Sequence, residues 1–304
     1  MELVKVGEKT YYIKNRTNIG IYQINETEVY LIDTGNDKEA GKKILKIIEE
    51  QGWQVRAIIN THSHADHIGG NQVIQEKTGC NIYAYGIEKA FIENPILEPI
   101  YLSGGYPSQI LQENKFFMAQ PSKVETIENH LPEGLEIFEL KGHFIDMIGI
   151  KTSDDVYFLA DGLMSEELIE KHKIFFLYDV QELLSTLNQL ETIRGKWYIP
   201  SHAMASNDIQ YLIQKNRAKV QEIIQLILKI CEQPTTFEQI LKEVFSQYQI
   251  EMNEYQHALI GSIIKCYLNY LREQNKIEVK FEDNQMKYFV VSMGTEIFDN
   301  RDKN

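Results

Sequence analysis

Three imidazoles and a carboxylate fall within six residues, His62-Ser63-His64-Ala65-Asp66-His67, directly after the apolar run from Val55 to Asn60. That run is short and bounded by polar residues, as a buried strand is. In a segment leaving a strand, His62 and His64 can point the same way, and a turn at Ala65 aims Asp66 and His67 at a neighbouring position. Neutral imidazole nitrogen and carboxylate oxygen are the donor set of zinc and similar transition metals. The stretch reads as half of a two-metal site.

The other half is expected downstream, where single His or Asp residues end short apolar runs beside glycine or proline. These are His143 in Leu140-Lys141-Gly142-His143, Asp161 in Phe158-Leu159-Ala160-Asp161-Gly162, and His202 in Tyr198-Ile199-Pro200-Ser201-His202. Such turns present a side chain at the rim of a sheet. One histidine in a polar loop needs no metal, and His130, His172 and His257 read as ordinary surface or helix positions. Five histidines in four registered motifs call for a shared explanation.

The ordered series His-x-His-x-Asp-His, Gly-His, Asp-Gly and Pro-Ser-His resembles the metallo-β-lactamase superfamily of binuclear hydrolases, over roughly residues 1 to 205. The resemblance implies an α/β fold, an αββα sandwich of two mixed sheets. It implies that His62, His64 and His143 hold one divalent metal ion, that Asp66, His67 and His202 hold a second, and that Asp161 bridges them. Zinc is the expected metal, with manganese and iron as alternatives. Asp33, in Leu31-Ile32-Asp33-Thr34-Gly35, matches an aspartate that supports the metal loop without binding metal. The implied chemistry is hydrolysis by a metal-bridging hydroxide, with Asp66 orienting or deprotonating the attacking water.

Departures from neighbouring subfamilies narrow that expectation. His64 stands where diiron oxygen or nitric oxide reductases of this fold place a glutamate. His67 replaces the arginine of common lactam-cleaving enzymes, no cysteine lies near the second metal position, and Phe144-Ile145-Asp146 follows Gly-His instead of Thr-Pro-Gly. A small-molecule thioester, lactone or other ester is the expected substrate, because a thiolate leaving group needs little protonation. An endoribonuclease and an iron-dependent sulfur dioxygenase are the alternatives.

Composition bounds the rest. A chain of 304 residues with 43% hydrophobic content can bury one large core and carry a second small domain. A net charge of −13 opposes non-specific binding to nucleic acid, although a local basic patch can overcome an average. Cys80, Cys231 and Cys266 are widely spaced and outside any Cys-x-x-Cys pair, so neither a disulfide framework nor a thiolate metal site is expected. The start of the chain lacks the pattern of a signal peptide, and no apolar run is long enough for a membrane helix, so a cytoplasmic protein is expected.

Periodicity predicts strands at Tyr11 to Ile13, Ile19 to Ile24 and Val29 to Ile32, with a hairpin turn at Asn25 to Glu28, then a helix over Lys38 to Gln51. Further strands are predicted at Asn81 to Tyr85, Leu135 to Leu140, Ile148 to Thr152, Val156 to Ala160 and Trp197 to Ile199, with helices from Asn71 to Lys77, Glu88 to Glu93 and Val180 to Ile193. Between Pro95 and Pro121 the pattern reads as an apolar loop. Residues 95–123 are expected to form an active-site lid, with Tyr101, Tyr106, Phe116 and Phe117 as substrate contacts, or to pack on the core or on a partner in a homodimer.

The catalytic domain is expected to end at 206. A linker helix over 207–232 then leads to a small helical, winged-helix-like domain over 233–304, with helices from Phe237 and Glu254 and a terminal hairpin around Glu282 to Gln285. Basic and acidic residues nearly balance from Asn207 onward, unlike the strongly basic face of a DNA-binding winged helix.

Overall fold

The strand Glu28–Ile32 shows how the sandwich is assembled. Val29 and Leu31 pack against helices on one side, whereas Tyr30 and Ile32 turn to a facing sheet, as the two-residue repeat of a strand dictates. The computed structural model describes residues 1–128 and 130–291. Its first sheet has seven strands: β1 (Glu2–Lys5), β2 (Thr10–Lys14), β3 (Ile19–Gln23), β4 (Glu28–Ile32), β5 (Gln54–Ile59), β6 (Asn81–Ala84) and β7 (Glu125–Thr126). They lie in chain order, antiparallel from β1 to β4 and parallel from β4 to β7.

The second sheet contains β8 (Leu135–Glu139), β9 (Ile148–Thr152), β10 (Val156–Ala160) and β11 (Trp197–Pro200), in the order β11-β10-β9-β8. Only the β10 and β11 pair is parallel, so both sheets are mixed. Tyr22, Tyr30, Ile59 and Tyr83 from the first sheet meet Ile150, Val156, Phe158 and Ile199 from the second.

Helices cover both outer faces. Helix α1 (Lys38–Glu50) starts on Asp37, whose side chain accepts from Ala40 N at 2.7 Å, and buries Ala40, Ile44 and Ile48 at a spacing of four. With α3 (Asn71–Thr78) it covers the first sheet, the single turn α2 (Ala65–Ile68) lying between them in the chain. Helices α4 (Glu88–Glu93), α5 (Leu97–Ser103), α6 (Gln109–Gln112) and α7 (Glu166–His172) are short. Helix α8 (Val180–Thr192) and the start of α9 (Gln210–Ile230) cover the second sheet through Leu187, Leu190 and Ile213. The αββα expectation holds.

Beyond α9 come β12 (Thr235–Thr236), α10 (Phe237–Tyr248), α11 (Glu254–Glu273) and the hairpin β13 (Ile277–Glu282) with β14 (Gln285–Val290), in a sheet ordered β12-β14-β13. Thr236 caps α10 in a reciprocal capping box with Gln239. One apolar cluster runs from Ile169, Leu177, Val180 and Leu183 into Ile223, Ile227, Ile240, Val244, Ile263 and Tyr267, so α7 and α8 share a core with the C-terminal helices. Residues 292–304 of the expected terminal unit lie outside the described residues.

The turn expected at Ala65 is present as a helical turn, and one reading is corrected: the segment read as a loop between Pro95 and Pro121 contains α5 and α6. Pro99 falls in the first turn of α5, where the amide it lacks would be unpaired in any case. Strand β1 was not anticipated, because two apolar residues between charged ends carry no readable period. Among the described residues no helix is long and apolar enough to cross a membrane.

Candidate metal centre

Strand ends converge at one rim of the sandwich and bring every expected ligand there. His62 and His64 follow β5, Asp66 and His67 ride on α2, and His143 sits between β8 and β9. Asp161 and His202 follow the adjacent parallel strands β10 and β11. At the end of β10 the register shifts and Ala160 takes a φ of 45°, an uncommon left-handed conformation for alanine, which turns Asp161 out of the ladder. Gly142, at φ 112°, lies so close to the Leu183 backbone that a β-carbon would overlap it, so only glycine fits before His143.

Three groups of ligand atoms lie within 4.8 Å of one another: His62, His64 and His143; His62, His67 and Asp161; and Asp66, His67 and His202. His64 Nδ1 is 3.1 Å from His62 Nε2 and 3.0 Å from His143 Nε2. Asp161 reaches both sides, with Oδ2 3.4 Å from His143 Nε2 and 3.3 Å from His202 Nε2, and Oδ1 3.2 Å from His67 Nε2. Asp66 Oδ2 is 3.1 Å from His202 Nε2.

The outward nitrogens fix the tautomers. His67 Nδ1 donates to Asp33 Oδ2 at 2.8 Å, His143 Nδ1 to the Phe176 carbonyl at 3.1 Å, and His202 Nδ1 to the Arg16 carbonyl at 3.0 Å. Thr61 Oγ1 donates to Asp33 Oδ2 at 2.7 Å, so it accepts from His62 Nδ1 at 3.1 Å. These bonds leave the Nε2 lone pairs of His62 and His143 both aimed at His64 Nδ1. A proton on that atom satisfies one of them, whereas a cation among the three satisfies all. His67 Nε2 and Asp161 Oδ1 are likewise buried without a hydrogen bond. The donor set fits divalent metal.

Electrostatics agree. Burial pushes His62, His64 and His143 below the usual imidazole range, which keeps their lone pairs available. Burial acts the same way on His67 and His202, but the carboxylates led by Asp161 outweigh it and raise both, His202 to about 10. Burial raises Asp66 and Asp161, yet the neighbouring imidazoles, His67 first for Asp66 and His202 first for Asp161, bring both below the carboxylate range. A metal would take the place of the protons on His67 and His202.

Asp33 is fully buried at a φ of 63° and also accepts from Thr61 N at 2.8 Å, tying the metal loop to the end of β4. Sequence reading missed Glu88, whose carboxylate accepts from Ser63 N at 2.9 Å, Ser63 Oγ at 2.6 Å and Asp146 N at 2.9 Å. It clamps the His62–His64 loop to the loop carrying His143. Burial is the largest influence on it and, against these bonds, raises it to about 7. Nothing local marks an acid opening a short helix as buried. Glu98 on α5 was missed for the same reason and lies buried beside His64.

The four aromatic residues of segment 95–123 divide. Phe117 is buried with Leu102 and Leu111 and stacks on Tyr255 of α11 at 4.9 Å, while Tyr101 packs near Tyr178 at 5.7 Å. Tyr106 and Phe116 are exposed. Phe144 and Phe176 line the His64 ring, with centroids 4.5 and 4.9 Å away. His130, His172 and His257 lie outside the cluster.

Residues 13–202 match the family model described as the metallo-beta-lactamase superfamily, and the chain belongs to that superfamily. A hydroxyacylglutathione hydrolase of Rhodospirillum rubrum is 35% identical over 65 residues, 19% of this chain and 25% of that protein. One from Nitrobacter hamburgensis is 31% identical over 128 residues, 42% of this chain and 41% of that protein. The chain thus spans well under half the length of these curated relatives. Among solved structures, a beta-lactamase domain protein from Burkholderia ambifaria superposes with a TM-score of 0.72 at 16% identity, covering 95% of this chain and 94% of that one, a likeness of fold alone.

Proposed function

We propose that the chain is a binuclear metal-dependent hydrolase that cleaves a small-molecule thioester, with lactones and other esters as the next classes. The single observation that carries this reading is Asp161, whose two oxygens reach histidines of both expected ligand sets. His62, His64 and His143 would hold one divalent ion, zinc being the best match to the donors, and Asp66, His67 and His202 the other. When bound, such ions polarise a carbonyl oxygen and lower the pKa of water.

The chain's own residues supply the rest. Asp33, Thr61 and the Phe176 and Arg16 carbonyls hold the outward nitrogens of His67, His62, His143 and His202 and so aim Nε2 of each ring inward. Asp66 is the carboxylate more open to solvent, its side chain 35% exposed against 6% for Asp161, and it accepts from Thr17 Oγ1 at 3.2 Å. It is placed to orient an attacking water and to take its proton. Phe176, partly buried against the His64 ring, is available as an apolar contact for an acyl group. No nucleophilic serine or cysteine is required.

The names of the partial relatives favour a thioester, and the acidic chain disfavours RNA. Convergence of Asp66, His67 and His202 supports two ions over the single iron of a dioxygenase. We read the helices and hairpin after α9 as a winged-helix-like unit that braces the catalytic domain. The test is turnover of acyl thioesters, lactones and single-stranded RNA by one zinc-loaded preparation, with His64→Ala as blank. Thioester or lactone cleavage absent from the blank is expected. RNA cleavage alone, or oxygen consumption with iron, would overturn the proposal.

A further inference from the structure

We infer that Glu98, delivered by α5, is the positioning partner of the outward nitrogen of His64, so that segment 95–123 acts on the metal centre itself. The inference rests on the metal-site reading above. Four of the five histidines have their outward nitrogen held: His62 by Thr61, His67 by Asp33, His143 by the Phe176 carbonyl and His202 by the Arg16 carbonyl. His64 is the exception, and it is also the one ligand that faces the cluster through Nδ1. A neutral ring that lends this lone pair carries its proton on Nε2.

His64 Nε2 is buried and makes no hydrogen bond. The carboxylate facing it is Glu98, with Oε1 3.9 Å away and a side chain only 7% exposed. A buried donor without an acceptor thus faces a buried carboxyl about 1 Å beyond hydrogen-bond distance, a gap that a small rotation of the Glu98 side chain closes. Charged or neutral, the carboxyl offers an accepting oxygen. Helix α5 is braced from outside, because Leu102 packs with Leu111 and Phe117, and that cluster rests on Tyr255, Ala258 and Leu259 of α11. The C-terminal helices therefore hold in place the element that supplies Glu98.

The experiment measures zinc affinity by competition with a chromophoric chelator for the wild type, Glu98→Ala, Glu98→Gln and, as a control on the same segment, the exposed Tyr106→Ala. Ring ¹⁵N shifts of His64 report which nitrogen bears the proton. Loss of an outer partner of a ligating histidine weakens metal binding roughly 10- to 100-fold, which is the expected result for Glu98→Ala. Glu98→Gln keeps an accepting oxygen and should restore most of the affinity, and Tyr106→Ala should match the wild type. If Glu98→Ala does not fold, Glu98→Leu fills the same space and should show the same loss. Wild-type affinity and unchanged His64 shifts in a folded variant lacking the carboxyl would overturn the inference and leave the metal site standing. Failure of the wild type to bind zinc would overturn both.

Discussion

Replacing Asp33 by Asn changes one atom at the base of the centre. The φ of 63° at Asp33 is tolerated by Asn as well as by Asp, so the backbone should not move. Asp33 Oδ2 accepts from both Thr61 Oγ1 and His67 Nδ1, and Oδ1 accepts from Thr61 N. An amide can replace only one of these oxygens. If its NH₂ faces His67, Nδ1 must become the acceptor, the proton moves to Nε2, and His67 is lost as a ligand. If its NH₂ faces Thr61 N instead, two buried donors oppose each other, at a cost of about 1–3 kcal/mol in stability. The first arrangement weakens the position formed by Asp66, His67 and His202 by roughly 10- to 100-fold, or about 1.4–2.7 kcal/mol, whereas the second keeps the His67 bond and lowers stability alone. Zinc titrated into apoprotein by calorimetry should show one tight site retained and one weakened, or else two retained sites in a protein destabilised to denaturant. Two sites of wild-type affinity, with the His67 proton still on Nδ1 and stability unchanged, would refute the reasoning.

Glu88 holds its proton to about pH 7 when folded, against 4.5 for an ordinary glutamate, so the folded state binds more protons between those values and stability should fall as pH rises through that window. Relative to Glu88→Gln, apo wild type should lose on the order of 3 kcal/mol between pH 4.5 and 8, read from urea unfolding; a difference that does not change with pH would count against it. Gly142→Ala forces a β-carbon onto the Leu183 backbone and should cost at least about 2 kcal/mol and displace His143, seen as a lower Tm with reduced zinc content. Phe117→Ala should cost about 3 kcal/mol in denaturant unfolding by emptying the contact between α5, α6 and α11. His64→Ala or Asp161→Ala should remove metal and turnover while far-ultraviolet circular dichroism stays native, since both residues sit on loops beside separately packed cores.

The donor residues were legible because each stands at the end of an apolar run, and apolar runs of period two announce strands. Val29 and Leu31 on one face of β4 and Tyr30 and Ile32 on the other show that pattern in the packing. The helix at Leu97–Ser103 was illegible because prolines and glycines around it mimic a loop, and its stability comes from Leu102 and Phe117 packing on α11. No local pattern marks that contact, which joins residues far apart in the chain.

By itself the sequence determined the order of the candidate ligands, the alternation of strands and helices, and the chemistry that imidazole and carboxylate can perform. Only the tertiary structure decided which nitrogen of each histidine faces inward, because that choice belongs to partners such as Asp33, Thr61, Phe176 and Arg16, brought in from other elements. It also decided that Glu88 and Glu98 are buried at the site and that α11 braces α5. Residue types are set locally, whereas hydrogen-bond partners and burial exist only once distant segments share one packed volume.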